Sequence, residues 1–255
     1  WGDEAMLLLN ILERDYIGLT HHLRFAQVAP LLFLWMEKSA LIVFGPSEHA
    51  VHLFPFLAGL AGLAVFWPMC RSAFTPTVAG FAVAILAVSY YPMRHSAEVK
   101  PYAFDLLYAI VFAALTLGHW RNPQSWRGLA ALAAVTAGAV FSSYPSVFVG
   151  GAVSIVLLPT IRTGTWTQRC LYVVFNVALC GSFVAHYALV AQAQVDAADA
   201  ERTREFLREY WKDAFPPEGL TDWPLWLVRV FTGNMLAHPI GAHRGGSTLN
   251  LLLVL

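Results

Sequence analysis

The chain has 255 residues, 58% of them hydrophobic and 13% charged, with 16 basic side chains balancing 16 acidic ones; its mean hydropathy is +0.57. A soluble domain carries about twice that charged fraction, and a net charge of zero leaves no basic footprint for nucleic acid. These values exclude both classes and leave a polytopic membrane protein, which the span-length charge-free runs below make all-α.

In chain order, residues 4–14 set Ala5, Leu8, Leu9 and Leu12 at helical spacing, with Glu4, Asn10, Glu13 and Arg14 mostly elsewhere. That pattern predicts a helix lying on a membrane surface. "FAQVAPLLFLWM" (Phe25–Met36) is apolar but too short to cross a bilayer, which predicts a second interfacial or re-entrant helix. Charge-free runs follow. With "SSYPS" (Ser142–Ser146) dividing the longest, they predict six spans near 49–70, 74–92, 101–120, 127–143, 146–161 and 170–192. Residues 193–246 read as an amphipathic outer loop. There "ERTREFLREYWKD" groups Phe206, Leu207, Tyr210 and Trp211 on one face, and Trp223 with Trp226 suits the headgroup belt. Residues 247–255 begin a further apolar run. Both ends look clipped, so the expectation is one transmembrane domain over 1–255: a first outer loop (1–48), six spans (49–192), the amphipathic loop and the start of another span. Cys70, Cys170 and Cys180 fall at span ends or within a span and suggest neither a disulfide framework nor a cysteine metal site.

Basic charge sorts the short loops. Arg71, then Arg121 and Arg127, then Arg162 and Arg169 fall on one side, whereas the opposite loops hold Arg94 and Lys100 or nothing. The positive-inside rule makes the first set cytoplasmic, so 1–48, 93–100, 142–146 and 193–246 face the periplasm or exterior.

Most chemistry-bearing side chains gather on that outer side. Asp3 and Glu4 can deprotonate an acceptor hydroxyl or amine, or help hold a divalent ion; equally, an acidic pair suits the positive end of a helix. "PMRHSAEVKPYAFD" (Pro92–Asp105) brings Arg94, His95, Glu98, Lys100, Tyr102 and Asp105 to a loop between spans. Lys100 and Arg94 can neutralise a lipid phosphate, with Tyr102 donating a hydrogen bond; the same residues can be ordinary snorkelling anchors. Seven histidines (His21, His22, His49, His52, His95, His238 and His243) lie on or near this side, but none has tight ligand spacing, so metal use stays open.

"WGDEAMLLLNILERD", "FAQVAPLLFLWMEK", "FGPSEHAVHLFPFLAGLAGL" and "SAEVKPYAFDLL", in that order, resemble the bacterial relatives of protein O-mannosyltransferases. These are the GT-C membrane glycosyltransferases of family 39, which include aminoarabinose and galacturonosyl transferases. The resemblance covers most of 1–160 and rests on the acidic pair, "Q-x-A-P" and "E-x-K-P-Y". It implies a GT-C-like bundle in an inner (plasma) membrane. A polyprenyl phosphate would present the sugar at the outer face, to a lipid, glycan or protein acceptor. By matching position, Asp3 would be the catalytic acidic residue with Glu4 supporting it; Glu98, Lys100 and Tyr102, with Arg94, would line the lipid-phosphate side. Gln27, His95 and Asp105 are candidate supports, and a divalent cation is an option. His52 stands where relatives often have Arg, and "V-A-P" lacks the Lys of the aminoarabinose branch, which argues against that substrate. The alternative function is a transporter or lipid flippase, which would need ionisable groups or broken helices deep in the bilayer. A non-catalytic scaffold on the same fold is a third option.

Overall fold

The computed structural model describes residues 2–194, 201, 205, 209 and 216–230, and the regular structure among them is all helical. The first outer loop folds as α1 (Gly2–Glu13), a short irregular stretch and α2 (Leu31–Phe44). The bundle then runs through α3 (Glu48–Ala73), α4 (Pro76–Val88), α5 (Tyr90–His95), α6 (Tyr102–Arg121), α7 (Arg127–Ser142), α8 (Ser146–Arg162) and α9 (Trp166–His186). A π-helical turn at Tyr187–Ala191 extends α9 to Gln194.

Local chemistry sets the ends of these helices. Ser47 caps α3 by accepting from the Ala50 amide at 3.3 Å, with Glu48 in the first turn. Gly45, at φ 78°, stops α2 in a conformation that costs glycine little. Thr165 and Gln168 form a capping box at the start of α9.

Apolar helices stand at all six expected positions, but their lengths differ. Glu48–Ala73, Tyr102–Arg121 and Trp166–Gln194 are long and apolar enough to cross a membrane, whereas Pro76–Val88, Arg127–Ser142 and Ser146–Arg162 are shorter. The run expected as one span over 74–92 is two helices broken at Ser89, which is extended at ψ 133°. Pro92 is the cause: it offers no amide to the Val88 carbonyl four residues back, and its ring clashes there. The second loop helix begins at Leu31 rather than Phe25 because Pro30 sets its start, and it continues to Phe44. On α1 the buried stripe is Leu7, Asn10 and Ile11, while Leu9 and Leu12 are exposed. This helix is therefore apolar on two sides, one against protein and one free for lipid.

Leu7, Ile11, Leu19 and Leu23 join Phe33 and Leu34 of α2, Val51 of α3, and Val99 and Phe104 in one buried cluster. A second cluster fills the space among α6, α7, α8 and α9 around Phe112, Leu132, Leu157 and Phe175. The carboxyl end of α9 reaches back to the first loop. Gln194 accepts from the Ala29 amide with Oε1 (3.2 Å) and donates to the Leu19 carbonyl (3.3 Å), while its own carbonyl accepts from Leu23 (3.2 Å). His186 Nε2 accepts from the Leu31 amide at 3.2 Å, capping a helix whose Pro30 has no side-chain acceptor. One end of the bundle thus collects α1, α2, the α5–α6 corner and the end of α9. Most of the expected amphipathic loop over 193–246, and the run over 247–255, lie outside the described residues; within the loop, Trp223–Val230 is a helix whose two tryptophan rings lie 6.3 Å apart.

Candidate active site

Asp3 and Glu4 occupy the first turn of α1, and the residues they meet come from the α5–α6 corner. Asp3 Oδ2 lies 3.3 Å from Lys100 Nζ. Glu4 Oε1 accepts from the Val99 amide at 2.8 Å and faces His52 Nε2 at 3.3 Å. Burial acts to raise the Asp3 carboxyl, but the charge and hydrogen bond of Lys100 outweigh it and hold it below the usual aspartate range. Burial also acts to raise Glu4; the Val99 amide and the His52 ring act against it, and Glu4 titrates below its ordinary value. Both acids are thus stabilised as carboxylates.

Lys100 is 11% exposed at its side chain and has a second partner, donating to Gln27 Oε1 at 3.1 Å. Gln27 is aimed there by an unusual turn: Phe25 (φ 65°) and Ala26 (φ 51°) are both left-handed without being glycine. Such strain persists only where neighbours enforce it. Asn10 is one enforcer, accepting from the Arg24 amide at 2.8 Å and donating to the Arg24 carbonyl at 3.1 Å.

Beyond Lys100 the corner is held from inside. Buried Glu98 accepts from Arg94 Nε at 2.5 Å and pairs with His95 Nδ1 at 2.9 Å. The His95 ring lies 4.7 Å from that of Tyr102 and stacks on Tyr91. Asp105 stands apart from these contacts, near Ser143, with Oδ1 buried and lacking a hydrogen-bond partner among the described residues.

A cleft runs along each side of this network. One, of about 420 Å³, lies among α3, α4, α5 and α6, with apolar walls and His95, Ser96 and Tyr102 at its polar rim. The other, of about 410 Å³, lies among α1, α2 and α3, with Glu4, Ser47, Glu48 and His52 among its lining and Leu8, Leu12, Leu41 and Val51 as walls. No group of three or more His, Cys, Asp or Glu suited to a metal occurs among the described residues.

Residues 28–187 match the family model of dolichyl-phosphate-mannose-protein mannosyltransferases, more than half of the chain. The chain belongs to this family. No curated protein and no solved structure matches it. Membership makes it a membrane glycosyltransferase, mannosyltransferase-like, with a polyprenyl-phosphate sugar as donor. The matched segment holds Arg94, Glu98, Lys100 and Tyr102, whereas Asp3 and Glu4 precede it. Folding joins the two parts across the Asp3–Lys100 and Glu4–Val99 contacts.

Sequence reasoning missed three participants. The Val99 amide has no side-chain signal at all. Asn10 reads only as a polar residue off the apolar stripe of α1, although an amide between Leu7 and Ile11 at helical spacing is a usable sign of a buried polar clamp. Gln194 gave no sign of reaching the first loop.

Proposed function

We propose that this end of the bundle faces the exterior or periplasm of a bacterial inner membrane and transfers the sugar there. The donor is the family's polyprenyl-phosphate sugar, and the acceptor is a hydroxyl or amine on a lipid, glycan or protein. The observation that carries the reading is the Asp3–Lys100 contact of 3.3 Å, which joins a base to a phosphate-binding cation. The outward orientation rests on the basic loops Arg71, Arg121–Arg127 and Arg162–Arg169 at the other end of the helices.

The chemistry is a direct displacement. The acceptor heteroatom attacks the anomeric carbon, Asp3 takes its proton, and the bond to the phosphate oxygen breaks with both electrons going to the phosphate. Lys100, aided by Arg94, stabilises that leaving group. Binding of the phosphate draws Lys100 away from Asp3. The same event that seats the donor therefore raises the proton affinity of the base. The apolar cleft beside His95 and Tyr102 suits the first isoprene units of the donor, and the cleft beside Glu4 lies on the acceptor side.

The test is reconstitution of the full-length protein with a polyprenyl-phosphate sugar and a lipid extract. Asp3→Asn should lower transfer by roughly 100-fold or more, the range for loss of a general base, while donor binding persists. Lys100→Ala should weaken donor binding as well as turnover. Unchanged transfer in Asp3→Asn would remove that residue from its role, and movement of a solute without donor consumption would favour transport.

A further inference from the structure

His52 lies on α3 with its ring between two oxygens, and their chemistry fixes its protons. Nδ1 is 2.8 Å from the Glu48 backbone carbonyl, which can only accept, so Nδ1 carries a hydrogen. In a neutral ring Nε2 is then a lone pair. It faces Glu4 Oε1 at 3.3 Å, a carboxylate oxygen already accepting from the Val99 amide. Two acceptors in that position repel. One additional proton, giving an imidazolium, turns the contact into a charge-assisted hydrogen bond.

The cleft beside the ring is lined by Glu4 from α1, the apolar Leu41 from α2, Val99 from the corner and Glu48 from its own helix. Glu4 is the hinge of the arrangement, because the amide it holds belongs to the residue before Lys100.

We propose that His52 is a proton-controlled positioning residue. Its imidazolium clamps the Glu4 carboxylate on the Val99 amide and so sets Lys100 against Asp3; loss of the ring proton loosens that corner. The clamp therefore holds while the ring carries its second proton and opens when that proton is lost. The consequence for transfer rests on the function proposed above, whereas the clamp itself does not.

Two measurements on the full-length protein separate these. In ¹⁵N-histidine NMR, with His52→Gln identifying the resonance, Nδ1 should stay protonated throughout while Nε2 gains a proton as pH falls. Glu4→Gln should move that titration to lower pH. A proton on Nε2 alone in the neutral ring, or no response to Glu4→Gln, overturns the clamp. In the transfer assay, wild-type rate should fall as pH rises, in step with the loss of the imidazolium seen by NMR. His52→Arg, a permanent cation that also reaches a carboxylate, should flatten that slope, and His52→Gln should be slow throughout. Equal slopes in wild type and His52→Arg overturn the positioning role. If the NMR behaves as stated but no form of the protein transfers sugar at any pH, the clamp stands and the proposed function fails.

Discussion

Lys100 is shared between a carboxylate and an amide oxygen, and this arrangement has a definite pH signature. The Asp3 and Glu4 carboxyls sit below their ordinary values of 3.8 and 4.5. Their contribution to folding is therefore present above those values and is lost only as pH falls through the lower folded ones. Charge reversal at either position should remove that residue's share of the acid-side loss, which acid titration of unfolding would register. Glu37 has the opposite sign. It is fully buried on α2, neither carboxyl oxygen has a hydrogen-bond partner among the described residues, and burial pushes it up to about 9. The folded chain keeps a proton there that the unfolded chain sheds, so stability declines as pH rises from 4.5 to about 9. Glu37→Gln should remove that decline and raise the melting temperature at pH 8 more than at pH 5, each kcal/mol being worth roughly 2–4 °C. An equal shift at both pH values would show that Glu37 is ionised in the fold.

At the scale of elements, the α5–α6 corner is positioned by close approach to α3. A Cβ added to Gly59 would lie 2.8 Å from Ser96 Cβ, nearer than real side chains come, and Ser96 has no flexible end to move aside. Gly59→Ala should therefore push the corner away from α3, weakening donor binding and turnover together while the bundle still inserts. A binding assay with polyprenyl phosphate checks it, and unchanged affinity would show that the corner adapts. The corner's composition was legible in the sequence as a charged run between apolar ones, with Pro101 starting the next helix. The break before it was not, because a continuous apolar run looks alike in a long helix and a broken one; Pro92 decides between them through the Val88 carbonyl. On α1 the helix was legible but the buried face was not, since both faces are apolar and only the neighbours choose between them.

Across the whole molecule, the first loop is held by the carboxyl end of the extended α9. Gln194 is 1% exposed and bonds to Leu19 and Ala29. Gln194→Leu would leave a buried amide and carbonyl without partners, at roughly 1–3 kcal/mol each. Hydrogen exchange over 19–31 should speed up in that variant, with a parallel loss of transfer; protection unchanged from wild type would mean the loop is held by its apolar contacts alone. The sequence by itself determined the membrane class, the helical content, the positions of the apolar helices and the residue types available for phosphate and proton chemistry, because these follow from composition and local periodicity. Only the tertiary structure decided which of them meet. The seating of Glu4 on a backbone amide, the aim of Gln27 from a strained turn and the closure of the loop by Gln194 are contacts between distant segments, and nothing local in the chain encodes where a distant partner will lie.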